Sequence, residues 1–251
     1  MNSKQLMGRV ALVTGGTRGI GLSIAKRFVN EGARVFITGR KSEALNAAVA
    51  ECGGDATGVQ GDAASLDDLD RVYARIREDV GHLDIVVANA GSGAFLPLGA
   101  ITEEHFDGIF ALNVKGVVFT VQKALPLLRD GGSIVLISSI TGWKGTRAFS
   151  IYSASKAAVR AFARNWLLDL APRRIRVNVV SPGPTGTPGL TGLARDEEHA
   201  QQIKSHLAST IPLGRLGRSD EVANAALFLA CDESSFVNGV DLAVDGGTSQ
   251  I

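Results

Sequence analysis

Short runs of apolar, β-branched residues alternate with longer segments of helical period along this chain of 251 residues. Strands that alternate with helices are joined by right-handed crossovers, which build a parallel sheet covered by helices on both faces. We therefore expect a Rossmann-type, doubly wound α/β fold with its ligand site at the carboxyl ends of the strands. The strands are predicted at Arg9 to Thr14, Ala33 to Thr38, Thr57 to Gln60, Asp84 to Ala88, Ser133 to Ser138, Ile175 to Val180 and Val240 to Val244, and the helices near residues 19–31, 42–51, 66–80, 103–129, 152–171 and 220–230.

Composition narrows the classes of function that such a fold can serve. Hydrophobic residues make up 45% of the chain and charged residues 20%, and no linker or repeat divides it, so we expect a single domain over residues 1–251. A formal net charge of +1 gives no field to attract nucleic acid or an anionic membrane, and no run reaches the roughly 18 apolar residues of a membrane span. The cysteines, Cys52 and Cys231, fit neither a disulfide framework nor a metal site, and the four histidines lack ligand spacing. We expect a cytoplasmic protein that uses no metal and binds small molecules.

A glycine-rich loop follows the first predicted strand, in the order Thr14-Gly15-Gly16-Thr17-Arg18-Gly19-Ile20-Gly21. Glycines let the backbone turn tightly and let a pyrophosphate approach the next helix, whose N-terminal N–H groups and dipole favour anions. The spacing differs from the common Gly-x-Gly-x-x-Gly fingerprint, and a plain strand-to-helix turn is the alternative. The strand before the loop and the helix after it favour a dinucleotide site at Gly15, Thr17, Arg18, Gly19, Ile20 and Gly21.

The end of the second strand predicts which dinucleotide binds. Gly39-Arg40-Lys41 stands about twenty residues beyond the glycine-rich loop, where an NAD-type fold places an acidic residue against the ribose hydroxyl. Because no carboxylate is present there, Arg40 and Arg18 can clamp a 2′-phosphate through charge-assisted contacts. The alternative is that Arg40 and Lys41 simply face solvent. We expect NADP(H) as the cofactor.

Three further strand ends carry residues suited to a bound dinucleotide. In Gly61-Asp62-Ala63, Asp62 either accepts a hydrogen bond from adenine or caps the helix that begins near Ser65. Asn89-Ala90-Gly91 is small enough for backbone to pass close to a ligand, although Asn89 alone would more often be structural. The stretch Ser181 to Pro188 contains prolines that lack the ladder donor, so it is expected to be a loop and not a strand.

Tyr152 and Lys156 are four residues apart and share one face of a predicted helix. An ammonium beside a phenol favours the phenolate, so we expect the tyrosine pKa to fall below its usual value near ~10. Tyr152 would then donate and accept protons near neutral pH. The same spacing also occurs on ordinary solvated helix faces.

Taken together, these motifs resemble the single-domain branch of the short-chain dehydrogenase/reductase family over nearly the whole chain. The resemblance implies a seven-stranded doubly wound sheet and a homotetramer, in which the helix bearing Tyr152 packs through small residues. The chain also looks like bacterial NADP(H)-dependent ketone reductases and secondary alcohol dehydrogenases. The residues that carry the resemblance are Thr14-Gly15-x3-Gly19-Ile20-Gly21, Asn89-Ala90-Gly91, Asn113, Ser139, Tyr152-x3-Lys156, Pro182-Gly183-x3-Thr187 and Val244-Asp245-Gly246-Gly247.

The resemblance also assigns roles to individual residues. Tyr152 would pass a proton to the substrate oxygen, and Ser139, at the end of a predicted strand, would hydrogen-bond the carbonyl. Lys156 would bind the nicotinamide ribose and lower the tyrosine pKa, and Asn113 would hold a water that relays protons. Thr187 would bond the nicotinamide carboxamide or a phosphate, and residues 188–212 would form a mobile lid. The cofactor-binding set implied by strand ends and resemblance together adds Gly39, Arg40, Asp62, Ala63, Asn89, Ala90, Gly91, Pro182, Gly183, Thr185 and Thr187 to the glycine-rich loop, Tyr152 and Lys156.

The substrate pocket implied by the resemblance is mostly apolar, which suits a hydrophobic ketone or secondary alcohol. One alternative is a β-ketoacyl-carrier-protein reductase, which would need a basic patch such as Arg129, Arg173 and Arg174 for its acidic carrier. Another is a regulator that binds NADPH without turnover, which the presence of both Tyr152 and Lys156 disfavours. The expected pocket residues are Ser92, Gly93, Ala94, Phe95, residues 140–149 including Trp143, and Leu190.

Overall fold

A computed structural model describes residues 4–192 and 196–251 of the chain. Within these residues, seven parallel strands form one sheet in the order β3-β2-β1-β4-β5-β6-β7, which confirms the predicted fold. The strand order reverses between β1 and β4, and this reversal opens a crevice at their carboxyl ends. The strands are β1 Val10–Val13, β2 Arg34–Gly39, β3 Ala56–Gln60, β4 Leu83–Ala88, β5 Leu128–Ile137, β6 Arg176–Pro182 and β7 Asp241–Val244.

Helices cover both faces of the sheet because alternate strand residues point to opposite sides. Val13 and Ile37 pack against α1 and α9, whereas Leu12 and Phe36 pack against α3 and α5 on the other face. No helix of the described residues has the length and apolar character to cross a membrane. The helices are α1 Gly19–Asn30, α2 Ser42–Cys52, α3 Leu66–Asp79, α4 Glu103–Phe110, α5 Gly116–Ala124, α6 Ser150–Asp169, α7 Pro188–Thr191, α8 Glu197–Thr210 and α9 Ser219–Ala230.

The helix predicted over residues 103–129 is wrong at its end and in its interior. The observed helix ends at Ala124 and β5 begins at Leu128, because Pro126 interrupts the helix. The prediction ran on to residue 129 because the apolar residues after the proline continue the helical period by chance. Between α4 and α5 the chain forms a π-helical turn, Ala111–Lys115, which holds one residue more per turn than the segments around it.

The expectation that Ser181 and Pro182 lie in a loop is also wrong, since β6 extends to Pro182 and pairs it with Val244. The N–H groups of Val179 and Gly183 donate to the carbonyl oxygens of Val240 and Val244. Successive N–H groups of a strand point to opposite neighbours, so the nitrogen at position 182 faces the side of β5. Because β5 has already ended at Ile137, the missing N–H of Pro182 faces no strand. Proline is therefore tolerated at this position of an interior strand.

Candidate active site

The predicted catalytic residues meet at the carboxyl edge of the sheet, beside the strand-order reversal. Ser139 is the second residue after β5, and Tyr152 and Lys156 lie on the first two turns of α6. The backbone of Gly91, after β4, passes so close that a Cβ there would lie 3.3 Å from both Asn113 Oδ1 and Lys156 Nζ. The loop after β4, the π-helical turn before α5, the loop after β5 and helix α6 thus converge on one place.

Lys156 is almost fully buried and its Nζ donates a hydrogen bond to the carbonyl oxygen of Ile137 at 2.9 Å. The same nitrogen lies 5.7 Å from the centroid of the Tyr152 ring. Burial lowers the pKa of Lys156 to about 8 because the low-dielectric interior disfavours the ammonium. The carboxyl end of β5 therefore holds a lysine that is still largely charged at neutral pH.

Tyr152 differs from the prediction, because its pKa is raised and not lowered. Burial of the phenol disfavours the phenolate and is the dominant cause, while a hydrogen bond with Ser139 acts in the opposite direction. The spacing of Tyr152 and Lys156 on α6 was correctly predicted, but the ammonium does not outweigh the burial. The phenol is consequently protonated at neutral pH.

Asn113 occupies the centre of the π-helical turn and is fully buried. Its Oδ1 accepts from Ser92 N at 3.0 Å, and its Nδ2 donates to Ser92 O at 2.9 Å and to Ser155 Oγ at 3.0 Å. Ser155 Oγ in turn donates to the carbonyl oxygen of Tyr152 at 2.6 Å. The amide thus ties the loop after β4 to the helix that carries Tyr152, which explains why a poor helix former is kept here.

Ser155 was missed by the sequence reasoning. It lies three residues after Tyr152, on the same side of α6, and it is completely buried. A small polar residue at that spacing, inside a helix rich in alanine, is the signal that points to such a contact.

The glycine-rich loop packs against the end of β4 without room for side chains. A Cβ on Gly15, whose φ is 63°, would lie 2.9 Å from Ala90 Cα, and one on Gly21 would lie 2.4 Å from Asn89 Nδ2. That Asn89 amide donates to the carbonyl oxygens of Thr14 and Gly15 at 2.9 and 3.1 Å, so its role is to shape the loop. Gly, and no larger residue, fits these positions.

Helix α1 begins in this loop at Gly19 and Ile20, and Ile20 packs against the core. Its N-cap position is Arg18, which is exposed, and within the described residues no side-chain hydrogen bond caps the helix. Uncapped N–H groups at a helix N-terminus are the ordinary site for a phosphate. The Cβ and Cγ2 of Thr187 lie beside Gly19, 3.4 and 3.5 Å from where its Cβ would be, so the loop after β6 reaches the same place.

A cavity of about 400 Å³ opens beyond the ends of β2 and β3. Arg40 lines it with its side chain 73% exposed, and its Nη1 lies 4.0 Å from Asp62 Oδ2. Arg71, from α3, also faces the cavity, whereas Arg18 is placed at the start of α1. Arg71 is thus a second guanidinium at this cavity, and sequence reasoning missed it because Arg71 follows no strand end. The lining residues are Arg40, Gln60, Gly61, Asp62, Asp68 and Arg71.

The two alternatives for Asp62 are separated by the contacts around α3. Ser65 is the N-cap of α3, since its Oγ accepts from Asp68 N, whereas Asp62 Oδ1 accepts from Ala64 N at 2.9 Å. Asp62 therefore does not cap the helix, and its other oxygen faces Arg40 and the cavity. Ala63 beside it is buried against the backbone of Gly116.

The loop after β6 is folded against the end of β7. A Cβ on Gly183 would lie 2.6 Å from Asp245 Cβ, and the hydroxyl of the buried Thr185 donates to Gly183 O at 2.9 Å. Thr187 is the N-cap of α7, accepting from Leu190 N at 3.2 Å. The predicted lid consists of α7 and α8 in its described parts, and residues 193–195 of that stretch lie outside the described residues.

Three aromatic rings, those of Tyr152, Phe149 and Phe95, form one stack. The rings of Tyr152 and Phe149 have centroids 4.4 Å apart, and those of Phe149 and Phe95 are also 4.4 Å apart. Trp143 is not part of this stack, since its ring packs beneath the Arg160 guanidinium at 5.2 Å. Phe95 and Phe149, two of the expected pocket residues, therefore lie in one stack with Tyr152.

Comparisons with known proteins agree with this arrangement. Residues 15–249 match a family model described as "Enoyl-(Acyl carrier protein) reductase". The chain is 46% identical over 250 residues to the oxidoreductase asL5 of Sarocladium schorii, covering 99% of this chain and 98% of that protein. It is 34% identical over 265 residues both to a hydroxynaphthalene reductase-like protein of Metarhizium majus and to elsinochrome reductase 1 of Elsinoe fawcettii, covering 98% of this chain and 96% of each of them.

Among solved structures, the chain is similar to a double mutant of a short-chain dehydrogenase/reductase from Serratia marcescens. The TM-score is 0.90 at 31% sequence identity, and the match covers 98% of this chain and 99% of the other. Both the fold and its length are therefore shared.

Proposed function

The chain belongs to the short-chain dehydrogenase/reductase family, and from this premise we propose that it interconverts a hydrophobic ketone and its secondary alcohol with NADP(H). The observation that carries the proposal is the meeting of Ser139, Tyr152 and Lys156 beside a loop fitted for a pyrophosphate. When bound, the dinucleotide supplies or accepts the hydride.

The protonation of the site suits reduction of a carbonyl. Because the pKa of Tyr152 is raised, the phenol holds a proton that it can give to the oxygen of the substrate as negative charge develops there. Ser139 donates a second hydrogen bond to the same oxygen. An ammonium has three N–H donors, so Lys156 keeps two for sugar hydroxyls after bonding Ile137 O.

The choice of NADP(H) is supported by the cavity beyond β2. Arg40 and Arg71 both line it, and guanidinium groups bind phosphates through charge-assisted contacts. An acidic side chain at position 39 would meet Thr17, because a Cβ there would lie 2.2 Å from Thr17 Cγ2. The end of β2 therefore fits a glycine followed by a cation, and not the carboxylate that binds the ribose hydroxyls of NAD(H).

Two observations support a hydrophobic carbonyl compound as the substrate. They are the stack of Phe95 and Phe149 with Tyr152, and relatives whose names include hydroxynaphthalene reductase. The carrier-protein alternative is favoured by the description of the matched family model. Against it, Arg129 and Arg173 lie at the amino ends of β5 and β6, opposite the catalytic edge, and Arg173 Nε is paired with Asp130 at 2.8 Å. An acidic carrier docked on those arginines would not reach Ser139.

We also propose that the protein works in the cytoplasm as a homotetramer. Helix α6 carries the small residues Ala154 and Ala157 on its exposed side, and such residues let two helices approach closely. We expect the protein to turn over its substrate with no protein partner other than its own copies.

Replacing Tyr152 with phenylalanine tests the proposal directly. Turnover of hydrophobic ketones, followed by loss of NADPH absorbance, is expected to fall by orders of magnitude, because the proton donor is removed while the ring remains. NADPH binding, measured by calorimetry, should stay near the wild-type value, and unimpaired turnover would remove Tyr152 from the mechanism.

The chain offers a matched control in Tyr73, its only other tyrosine. Its hydroxyl is buried on α3 and donates to Thr120 O, away from the site. Tyr73→Phe removes the same atom and should lower stability while leaving kcat close to wild type.

A further inference from the structure

We propose that Thr141 is a positioning residue for the reaction, because its backbone N–H and its hydroxyl both donate to Ser139 Oγ and leave the Ser139 hydroxyl able to act only as a donor. This inference rests on the proposed function, because it concerns how the same site receives a carbonyl oxygen. Thr141 acts through Ser139 and needs no contact of its own with the substrate.

The Ser139 hydroxyl accepts two hydrogen bonds from one neighbouring residue. Thr141 N donates to Ser139 Oγ at 3.2 Å, and Thr141 Oγ1 donates to the same oxygen at 3.1 Å. A serine hydroxyl has two lone pairs and one proton, so these two contacts use all of its capacity to accept. What remains is the O–H group, which needs an acceptor.

The direction of the hydrogen bond between the two hydroxyls follows from what the site must bind. Either hydroxyl proton could lie between the two oxygens, whereas the backbone N–H of Thr141 can only donate. If Ser139 gave its proton to Thr141, its free lone pair would face the lone pairs of a carbonyl oxygen, which can only accept. With Thr141 as the donor, a bound carbonyl receives one hydrogen bond from Ser139 and another from Tyr152.

Ser139 also reaches the phenol of Tyr152. Burial raises the pKa of Tyr152, and the hydrogen bond with Ser139 opposes that effect, which is the direction expected when Ser139 donates to the phenol oxygen. A chain of donors thus runs from Thr141 through Ser139 to the place where negative charge develops on the substrate. Because a hydrogen bond accepted by a hydroxyl polarises its own O–H, Thr141 strengthens the donation by Ser139.

The turn that carries Thr141 is fixed against α6. Thr141 lies in the short helical turn Ile140–Gly142, whose N-cap is Ser139. A Cβ on Gly142 would lie 3.2 Å from the carbonyl carbon of Lys156, so the turn packs directly on the helix backbone. The donors of Thr141 are therefore in place before a substrate arrives, as stabilisation of a developing charge requires.

The test removes the hydroxyl of Thr141 and nothing else. Thr141→Val keeps the shape of the side chain and the backbone N–H, and Thr141→Ser keeps the hydroxyl. With NADPH and tetralone, kcat and kcat/KM of Thr141→Val are expected to fall together about 3- to 10-fold, because one hydrogen bond that acts in the transition state is lost. Thr141→Ser should recover most of this loss. A Thr141→Val protein with the wild-type kcat would overturn the inference.

A double-mutant cycle shows whether the effect passes through Ser139. In a Ser139→Ala background the Thr141 hydroxyl has no oxygen left to polarise, so adding Thr141→Val should cause no further loss of kcat. A second loss as large as that in the wild-type background would indicate a merely structural role and would refute the inference. Thr120→Val on α5 is the control, because its buried hydroxyl has no hydrogen-bond partner among the described residues, and kcat should stay close to wild type.

A structural measurement separates this inference from the proposed function. Neutron diffraction from crystals exchanged into heavy water locates hydroxyl deuterons and requires no turnover. The Thr141 deuteron is expected on the line between the two hydroxyl oxygens, and a Ser139 deuteron on that line would overturn the inference. If the wild type reduces no ketone, the proposed function fails, while the deuteron positions still decide which residue donates.

Discussion

Replacing Lys156 with methionine should stabilise the folded chain while removing its proposed activity. Burial lowers the pKa of Lys156 from 10.5 to about 8, which corresponds to a penalty of roughly 3 kcal/mol on the charged form. Methionine escapes that penalty but leaves the Ile137 carbonyl without its donor, a loss of about 1 kcal/mol. The net gain of about 2 kcal/mol should raise Tm by roughly 4 to 8 °C.

The dependence of this gain on pH follows from the direction of the pKa change. The unfolded chain binds the lysine proton more tightly than the folded chain does. The stability of the wild type therefore rises with pH between about pH 8 and pH 10.5. Below about pH 8 the penalty is present in full. The Tm advantage of Lys156→Met should therefore be largest near neutral pH and should shrink as the pH rises through this range.

Thermal unfolding followed by circular dichroism, at pH ~7 and at pH ~9.5, measures both effects. The control is Lys41→Met, since Lys41 is an exposed lysine. Its Tm should differ little from wild type and by the same amount at both pH values. A Lys156→Met protein that melts below the wild type at neutral pH, or an advantage that persists unchanged at high pH, would refute the reasoning.

Two further predictions concern the cofactor and the assembly. Arg40→Ala should lower the ratio of kcat/KM for NADPH to that for NADH about 5- to 30-fold, because an exposed charge-assisted contact of about 1–2 kcal/mol is lost. Steady-state kinetics with both cofactors measures the ratio, Lys41→Ala serves as the control, and equal ratios in Arg40→Ala and wild type would contradict the assignment. Light scattering is expected to give the mass of a tetramer, whereas the mass of a single chain would refute assembly through Ala154 and Ala157 on α6.

The sheet was predictable because strand burial leaves a direct trace in the sequence. Runs such as Val10–Val13 and residues 85–88 are apolar on both faces, as expected where helices cover both sides of a sheet. Pro182 was misread because the tolerance of a proline depends on where the neighbouring strand stops. That information lies in β5 and not in the residues around the proline.

The site was predictable where its residues are close along the chain, as with Tyr152 and Lys156. The pKa of Tyr152 was not predictable, because burial decides its direction. The same Tyr–Lys spacing lowers the pKa of an exposed phenol and leaves that of a buried phenol raised. Contacts between distant segments were also out of reach: Phe95 meets Phe149 through the fold alone. Arg71 belongs to the same class, since α3 brings it to the cavity from beyond any strand end.

The π-helical turn at Ala111–Lys115 introduces a phase shift into what otherwise resembles one long helix. An extra residue in a turn rotates everything after it by about 100° relative to an uninterrupted α-helix. Phe106 on α4 and Val121 on α5 therefore cannot be placed on one helical wheel. A helical period of 3.6 residues carried through the turn from α4 would assign the residues of α5 to the wrong face. The inward direction of Asn113 depends on that single additional residue.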